Sequence, residues 1–440
     1  VAARNGGHNS SSKRSHAMKK ILPVLCIMWI MIAAEFAAQS AALTSDTSRE
    51  DQNIAAARQA ISERPTEYTG YNLLAKALVH RAQETSDASF YLQAEEAVGK
   101  SLQLAPNNFD GEKIETSILL GKHEFPEALK LATALNKRVP DDVMVYGLLT
   151  DADVELGNYK EAEVAAQWML DLRPGNLAAL TRAAHLRELF GDAEGAYELT
   201  DMAYQSTPAT ETPERASLLT QMGHLRLASG NADSAEKLFQ QALASIPACP
   251  AALGNLAHLR ITQKRYAEAV QLLQQRYTAQ PRAENLYDLA DALQLAGQEG
   301  EARMAFADFQ AKALAESPMK DNSNRALVFY YADRAHQPAK ALDVAKREYA
   351  WRHDVNTLDA YAWALHVNGQ DVEARKQIEV ALAVGIRDAK IFGHAGEIAL
   401  KLGDRAAAQK YLQEAASLHA IGSEHARLGL SDVANTNAQH

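Results

Sequence analysis

Residues 219–247 read LTQMGHLRLASGNADSAEKLFQQALASIP, two apolar-periodic runs parted by Gly230 and closed by Pro247. In the second run Ala235, Phe239 and Ala242 recur at helical spacing, so one face is apolar and has to be covered. Glycine ends a helix readily because a left-handed cap costs it no side-chain clash. Proline cannot continue a helix and so separates one unit from the next. The stretch predicts a helix, a tight turn and a second, returning helix.

Working outward, the same punctuation repeats. Pro106, Pro140, Pro174 and Pro208 fall 34 residues apart. Alanine recurs at Ala94, Ala128, Ala162, Ala196, Ala235, Ala269, Ala302, Ala341, Ala374 and Ala408, with spacings of 34, 34, 34, 39, 34, 33, 39, 33 and 34. Gly157, Gly191, Gly230, Gly297, Gly369 and Gly403 each stand five residues ahead of one of those alanines. A small side chain at a fixed site lets the two helices of a unit cross closely. A period in the thirties on helical segments means stacked hairpins, which predicts an all-α superhelical solenoid of about ten helix-turn-helix repeats.

The array resembles the tetratricopeptide repeat family. Leu219, Met222 with Gly223, Gly230, Ala235, Phe239, Ala242 and Pro247 carry the match in one unit. Leu253, Leu256 with Ala257, Ala269, Leu273 and Pro281 carry it in the next. That second unit departs at Lys264, where glycine is usual, and at Arg276, where a small residue is usual; the register also loosens around residues 310–340. The resemblance covers residues 66–420 and implies a concave groove that takes a protein or peptide partner.

The chain carries 45 Lys and Arg against 55 Asp and Glu, a formal charge of −10. An acidic body lacks the clustered cations that phosphates need, so no nucleic-acid partner is expected. Residues 1–17 are polar and basic and read as an unfolded upstream extension. Met18, Lys19 and Lys20 then precede an apolar run over 21–34, broken only by Pro23 and followed by small residues to Ala42. Residues 18–42 read as a secretory signal peptide, which predicts a periplasmic or secreted protein. The alternative is an inner-membrane anchor through residues 21–42, the only membrane contact expected. With the leader removed Cys249 is the sole cysteine, so helix packing has to stabilise the protein without an intrachain disulfide. Residues 43–65 read as a lead-in and a capping helix ending at Pro65, and 421–440 as a short cap with a tail. Surplus residues at 83–89, 207–215 and 316–324 predict enlarged turns, where insertions into a stack are tolerated.

The chemistry-bearing motifs are few. The sequence has no zinc-protease histidine pair, phosphate-binding glycine loop, nucleophile elbow or paired cysteines, so neither a cofactor nor catalysis is expected. One triplet stands out: His185, Leu186, Arg187 recurs as His224, Leu225, Arg226 and as His258, Leu259, Arg260. The family resemblance places these three histidines in a row along the groove, and the same register adds Asn255, Trp363, His366 and His394. Neighbouring helix axes lie roughly 10 Å apart, whereas a zinc–nitrogen bond is about 2 Å. One ion cannot bridge that ladder, and no metal is expected. A polar, peptide-contacting groove whose charge rises as pH falls through the histidine range is the better reading.

Relatives that grip a C-terminal carboxylate do so with lysine, asparagine and arginine at four groove sites. The corresponding residues here are Ala178, Thr181, Arg182 and His185; Ser217, Thr220, Gln221 and His224; and Ala251, Gly254, Asn255 and His258, which do not reproduce that clamp. The expected function is therefore a noncatalytic exported scaffold. Two alternatives are an accessory subunit of an envelope or exopolysaccharide secretion apparatus and a histidine-dependent enzyme. Substituting His224 by alanine would abolish activity in the enzyme and weaken affinity only gradually in a binder.

Overall fold

A computed structural model describes residues 49–317 and 323–418, and no strand occurs among the described residues. Helix α1 (Arg49–Glu63) covers the start of the stack. Ten hairpins follow. Unit one pairs α2 (Tyr68–Thr85) with α3 (Ser89–Leu104), unit two α4 (Phe109–Gly121) with α5 (Phe125–Arg138), and unit three α6 (Val143–Glu155) with α7 (Tyr159–Leu172). Unit four pairs α8 (Leu177–Leu189) with α9 (Ala193–Ser206), unit five α10 (Thr212–Ala228) with α11 (Ala232–Ser245), and unit six α12 (Pro250–Thr262) with α13 (Tyr266–Ala279). Unit seven holds α14 (Ala283–Leu295) and α15 (Glu299–Glu316). Unit eight holds α16 (Ser323–Phe329), a π-helical turn (Tyr330–Arg334) and α17 (Pro338–Tyr349). Units nine and ten are α18 (Val355–Val367) with α19 (Asp371–Ala383), and α20 (Ala389–Lys401) with α21 (Arg405–Ser417).

The recurring alanines behave as close-approach sites: all ten lie in second helices, and none is more than 3 % exposed. In unit five, Phe239 fills the space over Gly223, where a Cβ would stand 2.5 Å from its ring. Phe239 is fully buried there, so the apolar face read from the sequence is the one that packs.

The turns inside the units share one backbone geometry. Gly191 has φ +80°, and the following amide of Asp192 donates to the Arg187 carbonyl at 2.8 Å, closing the last turn of α8. Asp192 then caps α9 by accepting from the Gly195 amide at 2.9 Å. Lys264, at the glycine site of unit six, takes the same left-handed conformation at φ 59°, as do His123 at 58° and His336 at 49° in units two and eight. The register dictates the turn even where the residue does not favour it.

Two enlarged turns differ from the sequence reading. The surplus over 83–89 extends α2 to 18 residues and leaves a short turn at Ser86, and part of the surplus over 207–215 goes into the 17-residue α10. Extra length adds helical hydrogen bonds more easily than it adds unpaired backbone. The third surplus falls partly outside the described residues, although α15 is likewise 18 residues long. The loosened register has a cause in the π-helical turn, where the Ala335 amide reaches the Tyr330 carbonyl at 2.8 Å. The leader, the upstream extension and the C-terminal cap and tail lie outside the described residues.

Successive turns of the superhelix touch. Ser86, in the turn of unit one, accepts from Gln280 at 2.6 Å and Arg282 at 3.2 Å, at the entrance of unit seven. Glu155 and Tyr159, at the turn of unit three, meet residues 352–355 at the entrance of unit nine. Gly191 of unit four meets Gly385 and Arg387 at the entrance of unit ten. Each of these three turns thus packs on the hairpin six units later.

Candidate functional site

The first helices of units one to four wall a concave cavity of about 860 Å³. Ser117, Met144, Asp151, Thr181, Arg182 and His185 are among its lining residues, and Arg352 reaches it from unit nine. The wall is chemically mixed. Met144 is 46 % exposed and offers an apolar contact. Arg182 is held by Asp151 through two hydrogen bonds of 2.7 and 2.6 Å, whereas His185 is exposed.

The histidine row continues on the first helices of units five and six, and its members differ in environment. His224 places Nε2 2.8 Å from Glu188 Oε1 and Nδ1 3.2 Å from Asn255 Oδ1. The Asn255 amide nitrogen donates to the Ala251 carbonyl at 2.9 Å, which turns its oxygen toward the ring. Both ring nitrogens therefore face acceptors, the arrangement of an imidazolium. The Glu188 carboxylate raises the His224 pKa, against the effect of desolvation, with help from Asn255 and Asp388. Its side chain is 45 % exposed, so water screens part of its charge. Desolvation opposes the charge of Glu188, but His224 and Gln221 hold its pKa below the usual value.

His258, the next in the row, shifts the other way. Burial lowers its pKa, Asp288 opposes this, and Arg276 and His224 add to it. Two histidines in one register thus favour different charge states. Farther along the same row, burial raises Asp291 to about 6 although Arg334 stands 2.8 Å away. Asp291 still keeps 31 % of its side chain open, so that shift describes a crowded groove wall rather than a sealed interior.

The other register candidates lie elsewhere. Trp363 is 4 % exposed and His394 3 %, so neither is open to a partner in this structure. Their rings stack at 4.2 Å, Trp363 donates to Asp333 at 2.8 Å, and His394 Nδ1 lies 2.6 Å from Asp359 Oδ1. Phe329 covers the other flank of His394. His366 is bound to Asp371 at 2.6 Å and is 15 % exposed. The groove register that is open in the early units is filled by this aromatic cluster in the last three. Sequence reasoning missed Asp151, Glu188, Asp288 and Asp291, acidic partners that the same first-helix register would have revealed. Among the described residues no group of three His, Cys, Asp or Glu side chains could hold a metal ion, and no helix is long and apolar enough to cross a membrane.

Residues 226–286 and 389–432 each match a family profile described as tetratricopeptide repeat. No curated protein matches the chain. Among solved structures the chain is similar to the APC/C hetero-tetramer Cut9-Hcn1, with 14 % identity, 73 % of this chain and 55 % of that chain covered, and a TM-score of 0.42. The chain thus spans about half the length of that relative. It is also similar to a tetratricopeptide repeat protein from Parabacteroides merdae, with 16 % identity, 54 % and 93 % covered, and a TM-score of 0.42. A third likeness is to the human IFIT1 dimer with PPP-AAAA, with 13 % identity, 85 % and 96 % covered, and a TM-score of 0.45. With profile matches in its middle and last units and ten hairpins in one register, the chain carries tetratricopeptide repeats folded as an all-α solenoid.

Proposed function

We propose that this protein is a noncatalytic scaffold that holds an extended segment of a partner protein in the groove of its N-terminal units. One observation carries this reading: a cavity of about 860 Å³ is walled by the first helices of four successive units and offers apolar, hydrogen-bonding and charged contacts together. A repeat array spreads such contacts along its length, so affinity accumulates from many modest terms. The apolar leader sequence supports export to the periplasm or beyond, with an accessory role in an envelope secretion apparatus as the more specific form of the same reading.

Photo-crosslinking in an envelope fraction tests the groove. A photoreactive residue in place of Met144 should capture a discrete partner, and one in place of Trp168, 49 % exposed on a second helix, should not. Equal capture from both positions, or capture that survives a His185→Glu change in the wall of the same cavity, would rule out the groove. Export has its own test, a mature N-terminus between Ala38 and Leu43; membrane-extracted protein beginning at Met18 would replace it with the anchor.

A further inference from the structure

The contacts between successive turns of the superhelix differ in chemistry from those within a turn. Within a turn, alanine, leucine and phenylalanine pack hairpin on hairpin, as at Ala235, Phe239 and Leu259. Between unit three and unit nine, buried ion pairs and hydrogen bonds stand beside an apolar contact. Arg352, 6 % exposed at its side chain, places Nε 2.6 Å from Glu155 and 2.9 Å from Asp354. The His353 amide donates to the Glu155 carbonyl at 2.9 Å, and the Val355 amide to the Tyr159 hydroxyl at 3.0 Å. Arg325 reaches Asp354 at 3.1 Å, and Glu348, 2 % exposed, lies 3.7 Å from Arg352, its Oε1 having no hydrogen bond among the described residues. Beside this network an apolar cluster of mostly small and medium side chains, Ala162, Ala166, Leu186 and Leu189 with Val355, Leu358 and Ala381, spans both turns, so the seam is mixed.

We infer that this mixed seam is a releasable clasp, which closes the superhelix into a tight coil and opens as one unit while the individual hairpins stay folded. Buried charges carry a desolvation penalty that is recovered when water returns, so the seam loses less on opening than an apolar interface of equal size would. Small mixed interfaces between separately packed bodies favour relative motion for the same reason. The hairpins on either side retain their own apolar cores through the opening.

The clasp also adjoins the groove. Val154, Glu155, Phe125 and Arg352 line the cavity, and Arg352 lies 5.4 Å from the Phe125 ring. An occupant that contacts this wall shifts the balance between closed and open coil by its difference in affinity for the two. This coupling rests on the groove reading above; the clasp itself does not.

Hydrogen exchange on the full chain, with no partner present, tests the clasp alone. The amides of His353 and Val355 should exchange through their own opening, faster than the amides in the middle of α18. Arg352→Met should speed them by about tenfold, leave the helices of units five and six unchanged, and lengthen the maximum dimension in X-ray scattering at constant helical circular dichroism. A second variant, Ser86→Cys with Gln280→Cys and both native cysteines changed to serine, should slow those two amides when oxidised, because the seam opens as a whole. Exchange of His353 and Val355 in step with α18, or indifference to both the Arg352 change and the disulfide, would overturn the proposal. If the clasp passes and the Met144 crosslink fails, the clasp stands and the groove reading falls.

Discussion

The guanidinium of Arg276 lies across the backbone of Gly254: a Cβ on that glycine would stand 3.0 Å from the guanidinium carbon. Arg276 occupies a second-helix site where a small residue is usual, and its bulk is accommodated by a missing side chain on the first helix of the same unit. Asp288 of the next unit fixes the far end at 2.6 Å. The oversized arginine and the missing side chain opposite it are therefore one feature.

A double-mutant cycle measures this pairing. Gly254→Ala should destabilise the protein by about 1 kcal/mol, the lower end for overpacking because an arginine tip can shift. In an Arg276→Ala background the same change should be neutral or stabilising, since alanine is the better helix former by about 1 kcal/mol. Denaturant unfolding monitored by circular dichroism reads both. Equal effects in the two backgrounds would mean that the arginine and the glycine are not coupled.

The fold was legible in the sequence because the solenoid repeats its own punctuation, and the ten alanines marked the buried crossing points correctly. The left-handed turn at Lys264 was legible from register alone, since no property of lysine announces it. What escaped was contact between units six apart, because hydrogen bonds across 194–198 residues leave no periodic trace. The site was legible only in part. Register brought His185 to the cavity wall and set His224 and His258 on the next two first helices, but it could not show that Phe329 and Asp333 close over Trp363 and His394. The histidine ladder therefore continues into a packed interior rather than along an open wall.

Lys264 offers a simple stability gain. At φ 59° it sits where an L side chain crowds the backbone, and no other unit's glycine at this site bears that strain. Lys264→Gly should raise stability by about 0.5–1 kcal/mol, the relief of strain less glycine's greater freedom in the unfolded chain. An unchanged or lower denaturation midpoint would show that the turn relaxes without strain.

Matched glycine substitutions isolate the seam. Gly191 and Gly403 hold the same turn position with φ +80° and +78°, but only Gly191 faces another turn of the superhelix. A Cβ at Gly191 would stand 2.5 Å from the Gly385 carbonyl oxygen, whereas among the described residues nothing lies within 4 Å of one at Gly403. Gly403→Ala should cost about 1 kcal/mol from backbone conformation alone. Gly191→Ala should cost about 1–3 kcal/mol more, or else release the seam and expand the molecule in scattering. Identical behaviour of the two variants would mean that the turns are not in contact in solution.

The His224–Glu188 pair predicts a pH dependence of definite sign. His224 has a raised pKa, so its contribution to stability is full below the unfolded value of about 6.5 and fades as pH rises through its folded-state value. Glu188 has a lowered pKa, so its contribution is full above its unfolded value of about 4.3 and fades as pH falls through its folded-state value. The pair therefore supports the fold best in mildly acidic solution. His185, His258, Asn255, Gln221 and Asp388 bear on the same pair, and Asp291, raised to about 6, also favours the protonated side. A difference measurement removes these shared terms: the stability gap between wild type and His224→Gln should be widest near pH 5 to 6 and should shrink toward alkaline pH. Thermal melts across pH 4 to 9 would show it, and a gap that stays constant or widens at high pH would mean that His224 carries no charge in the folded protein.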